Sequence, residues 1–128
     1  MICLLDTQIA IWALLDDRRL SSQAREILSD RDNEFRFSVC TLWEMAIKRG
    51  LKKPDFPYDP REIQRFLIRH GCEELAIQSE HVLKVESLPP IHKDPFDRLL
   101  IAQAMVEGII LLTADPLIAQ YPGPIKQV

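Results

Sequence analysis

Two unbroken apolar runs of the chain are only strand-length, and both lead to a carboxylate. Ile2-Cys3-Leu4-Leu5 runs into Asp6, and Ile109-Ile110-Leu111-Leu112 runs through Thr113 and Ala114 into Asp115. Short, wholly apolar runs suit strands buried on both faces, as in a parallel sheet. Between them the periodicity changes to that of helices. Residues 7–15 place Ile11, Leu14 and Leu15 at helical spacing, and Ser21 and Ser22 cap a second helix through Ile27 and Leu28. Residues 35–38 read as a strand, and residues 41–48 as a helix closed near Gly50. The proline-rich segment 53–60 reads as a loop between helices, because proline fixes its own backbone and restricts the residue before it. An amphipathic helix over 60–70 turns Ile63, Phe66 and Leu67 inward; a strand follows at 74–77, then a helix capped by Ser79 and running through Val85.

The last third carries the clearest signals. Asp94 is an N-cap, Pro95 takes the first helical position, and the helix runs through Glu107 to a terminating Gly108. After the strand at 109–112 come a short helical turn at 116–120 and an edge strand at 124–128. Apolar strands alternating with amphipathic helices predict an α/β sandwich with a mostly parallel central sheet, formed by one domain over residues 1–128. In such sheets the functional crevice lies beyond the carboxyl ends of the strands.

Composition narrows the picture. With 128 residues, 47% apolar and 27% charged, the chain is long enough for one core and too apolar for disorder. A net charge of -3 excludes a wholly basic nucleic-acid coat while leaving room for a local basic patch. Cys3, Cys40 and Cys72 are odd in number and far apart, and His70, His81 and His92 do not complete a zinc-ligand spacing. No disulfide framework is expected, which suits a reducing, cytoplasmic compartment. The apolar stretch at 9–15 is far shorter than the roughly 20 residues of a membrane span.

The strand ends single out Asp6 and Asp115. Glu44 is the one acid in the otherwise uncharged segment 37–47, and Asp97 opens a helix whose next residues are apolar. Each has an ordinary reading: Asp94 and Asp97 as helix-end groups, Asp6 and Asp115 as turn residues, Glu44 as the partner of Lys48. Together they imply more. Two unit charges roughly 5 Å apart repel by about 3 kcal/mol at an effective dielectric of 20, so four converging carboxylates must hold protons or a cation. Carboxylate oxygens are hard donors, and Mg2+ or Mn2+ is the expected ion. Ions held in this way support in-line phosphodiester displacement.

The segments Leu4-Leu5-Asp6-Thr7, Ser38-Val39-Cys40-Thr41-Leu42-Trp43-Glu44, His92-Lys93-Asp94-Pro95-Phe96-Asp97-Arg98-Leu99-Leu100 and Leu112-Thr113-Ala114-Asp115 resemble, in order, those of the PIN-domain family. More narrowly they are similar to VapC-type toxins of bacterial and archaeal toxin-antitoxin pairs. The resemblance implies a three-layer α/β/α fold and a magnesium- or manganese-dependent endoribonuclease whose acidic quartet is Asp6, Glu44, Asp97 and Asp115. It implies that Asp6 and Asp97 ligate the principal metal, that Asp115 completes the site, and that Glu44 binds a second metal or orients the attacking water. Thr7 and Thr113 are then candidates to bond the neighbouring carboxylates, with Asp94 a cap in preference to a ligand. The expected partners are RNA, a small VapB- or Phd-like antitoxin, and a second copy of the chain in a homodimer, with no membrane involved.

Cations for RNA are offered by Lys48, Arg49, Lys52 and Lys53, by Arg61, Arg65 and Arg69 on one helical face, and by Arg98 beside Asp97. Trp12 and Trp43 are assigned to core or interface. The alternative is a catalytically weak module of the same fold that binds RNA or protein without cutting; the presence of all four acids argues against it. A haloacid-dehalogenase-like phosphatase fails at Gln8, where a second Asp is required.

Overall fold

The structure, a computed structural model, describes residues 1–52 and 57–128; Lys53 and the start of the proline-rich loop lie outside them. Among the described residues, β1 (Ile2–Leu5) is the centre of a five-stranded parallel sheet of order β3-β2-β1-β4-β5. Its neighbours are β2 (Glu34–Ser38) and β4 (Ile110–Thr113), and the short strands β3 (Glu73–Leu75) and β5 (Ile125–Gln127) form the two edges. Leu4 pairs with Leu111 and Leu5 with Leu112. The central position explains the unbroken apolar runs, because both faces of these two strands are covered.

Among the described residues six α-helices supply the covering layers: α1 (Thr7–Leu15), α2 (Ser22–Ser29), α3 (Val39–Gly50), α4 (Pro60–Arg69), α5 (Ser79–Val85) and α6 (Pro95–Glu107). On one face Cys3, Leu5, Phe37 and Leu112 pack with Ile9 and Ile11 of α1, Ala24 of α2, Met45 of α3, and Ile63 and Leu67 of α4. On the other, Leu4 and Leu111 pack with Leu99, Leu100 and Ile101 of α6 and with Ile118 and Tyr121. The alternation of Leu4 with Cys3 and Leu5 is the period-two geometry of a strand. This is the expected α/β/α arrangement. No helix among the described residues is long and apolar enough to cross a membrane.

Several element boundaries differ from the sequence expectation for local reasons. Helix α3 begins at Val39, directly after β2, because the Ser38 hydroxyl accepts from the Cys40 amide at 2.9 Å and caps the helix from the strand's last residue. Gln78, not Ser79, occupies the cap position of α5, and its own amide donates to His81 Nδ1 at 3.0 Å. Leu15 ends α1 facing solvent, so the apolar face of that helix is carried by Ile9, Ala10 and Ile11. The third strand is shorter than expected, and β4 starts at Ile110 and takes in Thr113.

Candidate active site

The strand order reverses between β1 and β4, and this topological switch opens a crevice beyond their carboxyl ends. Asp6 sits at its floor. It leaves β1 in extended conformation as the N-cap of α1, its amide donating to Leu112 O at 3.0 Å. From the neighbouring strand, the Thr113 hydroxyl donates to Asp6 Oδ2 at 2.8 Å and accepts from the Asp115 amide at 3.0 Å. Asp115 thus starts its turn tied to Asp6 through one hydroxyl, with its own Oδ1 accepting from the Leu117 amide at 2.8 Å.

Asp97 and Glu44 come from the helices. Asp94 Oδ1 accepts from the amides of Phe96 at 2.8 Å and Asp97 at 3.2 Å, fixing the first turn of α6 from which Asp97 projects. In α3, Glu44 Oε2 takes Lys48 Nζ at 2.7 Å, the i,i+4 pair the spacing allows. Glu44 Oε1 is buried and has no hydrogen-bond partner among the described residues. A cavity of about 290 Å³ is lined by Asp6, Glu44, Asp94, Asp97 and Asp115, with Lys48 the one cation among the described residues that line it.

The electrostatics follow from this crowding. Burial pushes the Asp6 carboxyl up to about 6, with Glu44 and Asp115 adding to the rise and the Thr113 hydroxyl opposing it. Asp97 is pushed up to about 8, first by burial and then by the charges of Asp6, Asp94, Glu44 and Asp115. An all-oxygen carboxylate set, a buried orphan oxygen and two carboxyls that resist ionisation fit a hard divalent cation.

Sequence reasoning missed one member of this cluster. His92 Nε2 lies 3.0 Å from Asp97 Oδ2 and 3.0 Å from Asp115 Oδ2. The three side chains are placed so that one atom of each lies within 4.8 Å of the others. In the sequence His92 offers no zinc-ligand spacing, and the signal that ties it to the acids is its place two residues before Asp94.

The other candidate residues are dispersed. Thr113 reaches a carboxylate as expected, but the Thr7 hydroxyl pairs with that of Thr41 at 2.9 Å. Lys48 lies within the crevice on Glu44, and Arg49 pairs with Asp59 at 3.0 Å. Lys52 is exposed just past the end of α3. Arg61, Arg65 and Arg69 are exposed along α4. Arg98 corrects the expectation that it approaches a phosphate. Its guanidinium is turned to the Pro89 carbonyl at 2.9 Å, the Val85 carbonyl at 3.2 Å and the Tyr121 hydroxyl at 3.1 Å, because the helix direction sends it away from the side that carries Asp97. Trp43 is half exposed, edge-on to Phe96 with ring centroids 4.8 Å apart, while Trp12 lines the crevice under the Arg19 guanidinium.

Solved structures share this fold over nearly the whole chain. One is a chain of VapBC2 from Rickettsia felis bound to a DNA fragment from its promoter, with TM-score 0.72, 18% identity, and coverage of 99% of this chain and 98% of that one. A toxin-antitoxin complex from Klebsiella pneumoniae gives TM-score 0.63 at 20% identity, covering 98% and 99%. VapBC-1 from nontypeable Haemophilus influenzae gives 0.61 at 16%, covering 99% and 98%. No curated protein matches the chain. The family model described as PIN domain matches residues 3–124, a span that takes in all four strand-end and helix-borne acids, and the chain therefore belongs to the PIN-domain family.

Proposed function

We propose that the protein is a divalent-metal-dependent endoribonuclease, acting as one domain over residues 1–128 and serving as the toxin of a type II toxin-antitoxin pair. The observation that carries this reading is the buried Glu44 Oε1, which has no hydrogen-bond partner among the described residues and lies in a cavity shared with Asp6, Asp97 and Asp115. Asp6, Asp97 and Asp115 would hold Mg2+ or Mn2+, with Glu44 beside them. Once bound, such an ion supplies charge stabilisation for the attacking and leaving oxygens of a phosphodiester. Lys48 fixes the Glu44 carboxylate through Oε2, leaving Oε1 to take a proton from water. Thr113 holds Asp6 by its Oδ2 at the wall of the cavity. Arg49, Lys52 and Lys53, with Arg65 and Arg69 of α4, are the cations proposed to meet flanking phosphates.

The similar structures from Rickettsia felis and Klebsiella pneumoniae are of toxin-antitoxin assemblies, which supports a small VapB- or Phd-like antitoxin as partner here. A cytoplasmic homodimer is part of the same proposal. The test is incubation of the purified protein with structured RNA. Cleavage is expected with Mg2+ or Mn2+, none with EDTA, and none from Asp6→Asn, whose melting curve should remain cooperative. Cleavage that survives EDTA or the Asp6 change would overturn the metal mechanism.

A further inference from the structure

We infer that His92 is a positioning residue of this site, acting as a hydrogen-bond donor that fixes Asp115 beside Asp97 and not as a metal ligand. The inference rests on the nuclease reading above. A nitrogen 3.0 Å from two carboxylate oxygens suits either role, since donors about 2.1 Å from a shared octahedral ion are also about 3.0 Å apart. The other ring nitrogen decides between them. His92 Nδ1 accepts the amide proton of Asp94 at 3.2 Å, so the ring's own proton sits on Nε2. A protonated Nε2 has no in-plane lone pair to give a metal. It has a proton to give to Asp115 Oδ2, in the turn after β4, and this sets that carboxylate against Asp97 Oδ2 of α6, 3.0 Å from the same nitrogen.

The ring is held by a support that reaches back to the same helix. The His92 amide donates to the Tyr121 hydroxyl at 2.7 Å, and that hydroxyl also accepts from Arg98 at 3.1 Å. Arg98 further donates to the carbonyls of Val85, Leu88 and Pro89, the segment leading to His92. Consecutive residues of α6 therefore divide the work: Asp97 faces the crevice, and Arg98 secures the loop that carries the ring bonded to Asp115 and lying beside Asp97. Partners of this kind orient ligands, and their loss lowers metal affinity by about 10- to 100-fold.

The pair His92→Gln and His92→Asn tests this in the full chain stripped of metal. The glutamine amide nitrogen reaches the place of Nε2, whereas the asparagine amide stops near Nδ1. Mn2+ affinity, read by electron paramagnetic resonance, is expected to fall by about 10- to 100-fold in His92→Asn and to be largely retained in His92→Gln. Pulsed resonance on Mn2+-loaded wild type is expected to show no directly coordinated nitrogen. Equal affinities across wild type and both variants, equal losses in both variants, or a coordinated nitrogen in wild type would each overturn the donor role. Such a result with RNA cleavage intact would leave the nuclease reading standing. Failure of the wild type to bind Mn2+ would remove both.

Discussion

The Thr113 hydroxyl donates to the Asp6 carboxylate at 2.8 Å although 107 positions separate the two residues, so the two apolar strands deliver a matched donor and acceptor to the same point. Thr113→Val keeps the shape and removes the hydroxyl. It deprives Asp6 Oδ2 of its donor and the Asp115 amide of its acceptor, two buried or half-buried groups. A stability loss of about 1–3 kcal/mol is expected from denaturant melts, with metal affinity reduced alongside. A variant as stable as wild type would show that water replaces the hydroxyl at no cost.

The crowded carboxyls set a pH dependence in the metal-free protein. Asp6 and Asp97 ordinarily titrate near 3.8, and in the fold they are pushed up to about 6 and about 8. Between those limits the folded chain holds protons that the unfolded chain has released, so their contribution to stability falls as pH rises. With EDTA present, the melting temperature of wild type relative to Asp97→Asn should therefore drop from about pH 4 to about pH 8. Saturating Mg2+ should reduce that drop, since the ion takes the place of the protons. A difference that grows with pH would contradict the burial of Asp97.

An ion that binds only the folded state raises its stability, by about 2.7 kcal/mol at a concentration 100 times Kd. Titration with Mg2+ or Mn2+ is expected to raise the melting temperature of wild type and to do so less for Asp6→Asn and Glu44→Gln. Trp12, on the wall of the crevice, offers a fluorescence readout of the same event. Identical shifts in all three proteins would place the binding elsewhere.

Arg98 and the exposed cations should separate cleanly. Arg98→Lys removes the fork that spans three carbonyls and the Tyr121 hydroxyl, and is expected to cost about 1–3 kcal/mol of stability while leaving the salt dependence of RNA cleavage unchanged. Lys52→Glu combined with Lys53→Glu should weaken cleavage most at low salt and flatten its salt dependence by about 0.7 in log-log slope per lost phosphate contact. Rates measured across a salt series check both.

What could be read from the sequence was local. The runs before Asp6 and Asp115 are apolar because both faces of β1 and β4 are covered, and the Asp94, Pro95 and Gly108 signals act within a turn of their own helix. What could not be read depends on partners distant in the chain. The Thr7 hydroxyl at the start of α1 meets Thr41 of α3 across 34 positions, and neither residue announces the other. His92 reaches Asp115 across 23 positions and Tyr121 across 29, and Arg98 next to an acid gives no sign that it will turn to carbonyls. Serine is a common cap, yet the cap of α5 lies one residue before Ser79 because the bond from the Gln78 amide to the His81 ring sets the helix start.

The two outermost strands are three residues each, and β3 carries the exposed carboxylates Glu73 and Glu74. Rims so brief and so charged give an incoming strand little to pair with. Lateral extension of the sheet into a fibre or a shared intermolecular sheet is therefore disfavoured, and two copies that associate are expected to do so side-chain to side-chain across helices.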